Sequence, residues 1–154
     1  MKTTTKQTSF RLASLWPVFV GVALVAGFFI AHQALSTGFF TSDFGLTGSV
    51  LLYGTLLTGL VPATVGSMNL ARKTELETMI LTAVFWTVAT AWFFFAFPFN
   101  FAHVTAVVPS QLSFLLSWIT NDIGRALLGI ALVGAAAFLP FFGFQLNSAR
   151  RRTL

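Results

Sequence analysis

The chain has 154 residues, of which 56% are hydrophobic and 8% charged, with a formal net charge of +5. Soluble domains carry about 25% charged residues, so a fully water-facing surface is excluded and the missing polar surface must face lipid. With no cysteine in the chain, disulfides, thiolate catalysis, iron–sulfur clusters and cysteine-held zinc are excluded too.

The first apolar run covers residues 12–35. About 20 residues at about 1.5 Å rise cross a hydrocarbon core of about 30 Å, so this run predicts a transmembrane helix. It exceeds the apolar core of about 7–15 residues found in cleaved signal peptides, and it is expected to be retained. Ala23, Gly27 and Ala31 repeat along it at four-residue spacing, and His32 lies near its end. Thr41, Ser42 and Asp43 offer caps for a second run at 45–70. That run carries its own small residues (Thr55, Gly59, Ala63, Ser67) and several hydroxyl groups, Tyr53 and Thr58 among them. Pro62 lies inside it and predicts a kink, because proline brings no N–H to the helix ladder.

Thr74 and Glu77 fit a capping box at the start of a third run, 76–97. The connection from Pro98 to Asn121 is the longest. Within it Ser110, Ser113, Ser117 and Thr120 form one polar stripe, and Leu112, Leu115, Leu116 and Ile119 an apolar one. This pattern predicts a short interfacial helix near 110–120 with Trp118 at headgroup depth. Asn121 and Asp122 are expected to cap the fourth run, 123–144.

None of the four runs alternates in polarity, as the strands of a membrane barrel would. The predicted fold is therefore an all-α integral membrane protein, a single domain over 1–154 with four transmembrane helices in an up-down bundle. Lys2, Lys6, Arg11, Arg72, Lys73, Arg150, Arg151 and Arg152 fall on one side of four crossings, and Arg125 alone on the other. By the positive-inside rule both termini are expected in the cytoplasm, and the address is a plasma (inner) membrane. The cations stand in short tracts beside apolar runs, a pattern of topology and lipid contact. No nucleic acid partner is expected.

The polar inventory of the outer face is His32, Asp43, Asn100, His103, Asn121, Asp122 and Arg125. Imidazole suits iron, copper and zinc, so His32 and His103, with Asp122 or Asp43 as a further ligand, form a candidate metal or haem site. The alternative is that both histidines are interfacial polar residues bonded to backbone or headgroups. Arg125 is expected to pair with Asp122, three residues before it, or with Asp43.

Phenylalanine occurs 19 times. Phe39, Phe40 and Phe44 follow the first run, and Phe93 to Phe101 crowd the end of the third. These rings could line a site for a quinone or pigment, but they are expected to be lipid-facing bulk and a subunit interface.

No charge falls near the middle of a run, which argues against a proton relay or an ion-coupled carrier. No nucleophile triad or paired carboxylates are present, and no catalytic activity of the chain's own is expected. The leading expectation is a non-catalytic subunit of a larger membrane complex, its partners being lipid and either other membrane subunits or further copies of itself. Two alternatives stay open. One is a small oligomeric channel or carrier lined by the second run. The other is a haem-, metal- or pigment-binding subunit that uses the outer face.

Overall fold

A computed structural model describes residues 4–68 and 71–151. Lys2, Arg152 and the expected end of the second run at Leu70 lie outside the described residues. Five helices follow in order: α1 (Thr4–Ala34), α2 (Gly45–Thr58), α3 (Val61–Ser67), α4 (Arg72–Ala96) and α5 (Asn121–Arg151). Single 3₁₀ turns stand at Phe101–His103 and Ser113–Leu115. Four stretches are long and apolar enough to cross a membrane: Leu15–Ala34, Gly45–Val65, Lys73–Ala96 and Asn121–Ser148. The protein is thus an all-helical, multi-pass membrane protein. α1, α4 and α5 overrun the apolar stretches that predict them, because a helix once nucleated propagates into neighbouring helix-tolerant polar residues.

The second span is broken rather than kinked. Pro62 has no N–H to offer the carbonyl of Thr58 four residues back. Gly59 N–H still bonds Thr55 O, four residues back, at 2.9 Å, and the helix then tightens, with Leu60 N–H bonding Leu57 O at 3.1 Å. It restarts with Thr64 N–H on Leu60 O at 3.0 Å. Pro62 therefore sits in the first turn of α3, where a missing donor costs nothing.

The helix starts differ from the expected caps. The N-cap of α2 is Phe44, with no side-chain bond, so Thr41, Ser42 and Asp43 do not cap it. The N-cap of α4 is Ala71, which places Thr74 inside the first turn and rules out the capping box. Glu77 instead approaches Lys73 one turn back, at 3.9 Å. At α5 the Thr120 hydroxyl accepts the N–H of Ile123 at 3.4 Å and its carbonyl accepts that of Gly124 at 2.8 Å. Thr120 thus takes the capping role that the sequence suggests for Asn121 and Asp122.

The expected interfacial helix is absent. Residues 110–120 form successive turns, with Leu112 N–H on Pro109 O (2.8 Å), Leu115 N–H on Leu112 O (3.0 Å) and Ile119 N–H on Leu116 O (3.0 Å). The serines that make the polar stripe are the reason. Ser113 and Ser117 donate to Ser110 O and Phe114 O, at 2.9 and 3.3 Å, and such bonds compete with the helix ladder. Leu112, Phe114, Leu115 and Trp118 stay exposed.

The helices lie in a row. α4 and α5 pack along their lengths, α2 and α3 lean on α4, and α1 leans on α2 and α3. Among the described residues α1 makes no close approach to α4 or α5, so the row does not close into a ring. The small residues divide accordingly. Added Cβ atoms would meet Phe85 at Gly54 (2.6 Å), Phe101 at Gly124 (2.3 Å) and Phe94 at Gly129 (3.2 Å). Small residues there let bulky rings approach the helix backbone. On α1, Gly21 and Gly27 have nothing within 4 Å, and the same holds for Gly134 and Gly143 of α5.

Candidate functional site

One end of the molecule is closed by two loops, residues 35–44 and 97–105. α1 stops where Ser36 turns left-handed (φ 47°), and α4 stops where Phe97 does the same (φ 44°). Pro98 follows Phe97 and cannot continue the helix. The loops then pair with each other. Phe40 and Phe99 form an isolated antiparallel bridge. Asn100 N–H donates to Phe39 O at 2.7 Å, and Thr41 N–H to Pro98 O at 3.1 Å.

Satisfying the loop backbones in this way lets their side chains point inward. Phe39, Phe44, Phe93, Phe99 and Val104 are buried in one cluster with Leu52 and Ala89. The expected lipid-facing bulk is therefore an internal core, and it is the helix residue Phe95 that faces outward, 76% exposed. In the sequence the two phenylalanine groups share a depth. No periodicity signals their pairing, because it is made by a single bridge.

His32 lies beneath this cap and is 1% exposed. Its ring centroid is 4.6 Å from those of both Phe28 and Phe39. Nδ1 is 2.5 Å from the Thr37 hydroxyl, which also accepts the N–H of Phe39 at 3.4 Å. Nε2 is buried with no hydrogen-bond partner among the described residues, and the Val104 backbone and His103 lie near the His32 imidazole. His103 is exposed and rests on Gly38. Gly38 has φ +83°, a conformation that favours glycine, and a Cβ there would stand 3.3 Å from the imidazole, close enough that the ring would have to give slightly. The structure thus brings His32 and His103 together but leaves Asp122 elsewhere. No three His, Asp or Glu side chains converge as metal ligands among the described residues. Thr37 and Gly38, which hold the two histidines, carry no sequence signal beyond a turn.

Arg125 does not form the expected ion pair with Asp122 or Asp43. Its guanidinium lies 4.8 Å over the centre of the Phe97 ring, a cation–π contact that gains strength where water is scarce. Asp122 lines an open cavity of about 510 Å³ between the second loop, the 110–120 turns and the start of α5. Phe101, Val104, Thr105, Ser117 and Asn121 share its wall. The Asn121 side-chain oxygen accepts the N–H of Phe101 at 2.7 Å, tying loop to helix. Asn121→Ala is expected to cost about 1 kcal/mol, the typical net worth of one such bond, and Asn121→Asp, which keeps the acceptor, much less. Thermal unfolding of the two variants in the same detergent checks the order; equal losses would overturn the role.

A second cavity, of about 260 Å³, lies where the second span breaks, lined by Pro62, Met79, Thr82, Trp86, Phe138 and Phe142. Its polar groups are already committed: Thr82 donates to Thr78 O at 3.0 Å, and the Trp86 indole to the Thr58 hydroxyl at 2.8 Å. The hydroxyls of α2 and α3 behave likewise, with Thr55, Thr58 and Thr64 donating to carbonyls four residues back. Tyr53 donates to the Gln33 side-chain oxygen at 2.6 Å and so joins α2 to α1.

These features define a class, a small multi-pass membrane protein with an aromatic cap at one end. Comparison with protein-family models, with curated proteins and with solved structures finds no match to this chain.

Proposed function

We propose that the chain is a non-catalytic subunit of a larger assembly in a plasma membrane, oriented with both termini in the cytoplasm and docked to its partner through α1. The observation that carries this reading is the division of the small residues. Gly54 of α2 and Gly124 and Gly129 of α5 are filled by rings of the same chain, whereas both glycines of α1, Gly21 and Gly27, face open space, as Gly134 and Gly143 further along α5 also do, and Ala23 is exposed. Only 11% of the first span is buried within the chain, against 17% and 22% of the second and third; the fourth, at 6%, already packs along the length of α4. Between membrane helices the drive to associate is close packing, and small residues permit it. The basic tracts at Lys6–Arg11, Arg72–Lys73 and Arg150–Arg151 support the orientation. A water-filled path has less to rest on, since Thr55, Thr58 and Thr64 of the second span bond to their own backbone and Tyr53 to Gln33.

The test is purification of the tagged chain from its native membrane in mild detergent. The expected result is stoichiometric recovery of larger membrane subunits, or of a defined homo-oligomer. Gly27→Leu should abolish that recovery while leaving the chain's own thermal unfolding unchanged. A monodisperse monomer from native membranes, or full recovery with Gly27→Leu, overturns the reading.

A further inference from the structure

The open cavity beside Asp122 has the chemistry of a binding site, independently of any docking through α1. We propose that it binds an organic ammonium group. At about 510 Å³ it falls within the range of small-molecule sites, about 300–1,000 Å³. Three of its groups matter. Asp122 is an exposed carboxylate with no ion pair among the described residues; the cation nearest in sequence, Arg125, is turned away onto Phe97. Thr105 offers a hydroxyl that makes no hydrogen bond among the described residues. Phe101 offers an aromatic ring, whose π-system attracts cations.

The start of α5 would by itself favour an anion, because its leading N–H groups carry partial positive charge. Here that end is already answered. The Thr120 hydroxyl and carbonyl take the N–H groups of Ile123 and Gly124, and Asp122 places a full negative charge at the first turn. A full charge at the cavity wall outweighs the remaining fraction of a helix dipole, so the site selects a cation. A bare metal ion fits poorly, because Asp122 is the single carboxylate in the wall and no three His, Asp or Glu side chains converge among the described residues. An ammonium carried on a small organic body satisfies the carboxylate, the hydroxyl and the ring together. Two sources supply that group: the headgroup of an aminophospholipid and a free amine in solution. The exposed Trp118 stands in sequence between the wall residues Ser117 and Ile119 and would accompany lipid chains in the first case.

The experiment uses the purified full chain in micelles. Phosphatidylethanolamine and phosphatidylglycerol of identical acyl chains are offered in equal amounts, and retained lipid is read by native mass spectrometry. Wild-type protein should retain the ethanolamine lipid preferentially. Asp122→Asn should reduce that preference about tenfold, the scale of one hydrogen bond to a charged group. Thr105→Val, which leaves the helix start untouched, should reduce it by a smaller factor. In a second arm free ethanolamine is titrated while Trp118 fluorescence is followed. A saturable response lost in Asp122→Asn, without lipid preference, assigns the site to a soluble amine; preference without that response assigns it to the lipid. Equal or greater retention of phosphatidylglycerol with no ethanolamine response overturns the proposal. So does a preference that survives both substitutions.

Discussion

Phe39→Ala should lower stability by about 3–5 kcal/mol, the range for removing a fully buried phenylalanine. Phe39 is 1% exposed. Its ring centre lies 4.6 Å from that of His32, 5.1 Å from Phe40, 5.4 Å from Phe101 and 5.6 Å from Phe99. In the middle of a membrane such a loss would be mainly one of packing, since lipid is as apolar as the core. Phe39, however, lies between the end of the first span at Ala34 and the start of the second at Gly45. Its exposed alternative includes the watery interface, so a transfer contribution adds to the packing loss. The neighbours are held by the loop bridge and by each other, which limits collapse into the space left behind. Equilibrium unfolding in mixed micelles measures the difference. Phe95→Ala, at a ring that already faces outward, serves as the control and should change stability by less than about 0.5 kcal/mol. Equal effects at the two positions would show that the cap is not a core.

The same contrast explains what the sequence made legible. Apolar runs of sufficient length dictate helices wherever backbone groups meet no water, so the four spans can be read directly from residue order. The local rules fail where another contact outbids them. Thr74 and Glu77 have the spacing of a capping box, yet the helix starts one turn earlier, and Lys73 engages Glu77. The stripe at 110–120 has helical spacing, yet its serines hydrogen-bond to their own turns. Arg125 has Asp122 at pairing distance along the helix, yet it lies on Phe97, because the left-handed turn that ends α4 brings that ring to α5. The first two turn on local bonds that compete with the ones the pattern suggests, and only the last on how segments far apart in sequence come together.

The candidate site divides in the same way. His32 and His103 are conspicuous as the only histidines, and they do lie together. What holds them is Thr37 on one ring and Gly38 under the other, two unremarkable loop residues. The wall at Asp122 is equally hidden, being assembled from a loop, a turn segment and a helix start that share no pattern.

Gly124→Ala should destabilise the protein, against the usual trend for glycine in a helix, whereas Gly134→Ala on the same helix should not. Replacing a helical glycine by alanine gains up to about 1 kcal/mol in propensity. At Gly134 nothing lies within 4 Å of the new methyl group, so that gain stands and the variant is neutral or slightly more stable. At Gly124 the methyl carbon would fall 2.3 Å from one carbon of the Phe101 ring and 2.7 Å from two others. The ring has little room to yield. Its own N–H is held by Asn121 at 2.7 Å, and Phe39, Phe97 and Phe99 crowd it, with ring centres 5.4, 6.1 and 6.1 Å away. Overpacking of this kind costs about 1–3 kcal/mol, which exceeds the propensity gain. Gly124→Val adds two more methyl groups and belongs at the upper end or beyond. Thermal unfolding of the three variants in one detergent decides the matter, and a stabilised Gly124→Ala would mean that Phe101 moves freely. Displacement of Phe101 also removes the aromatic wall of the cavity beside Asp122. Gly124→Val should therefore lose ammonium retention together with stability, while Gly134→Ala keeps both.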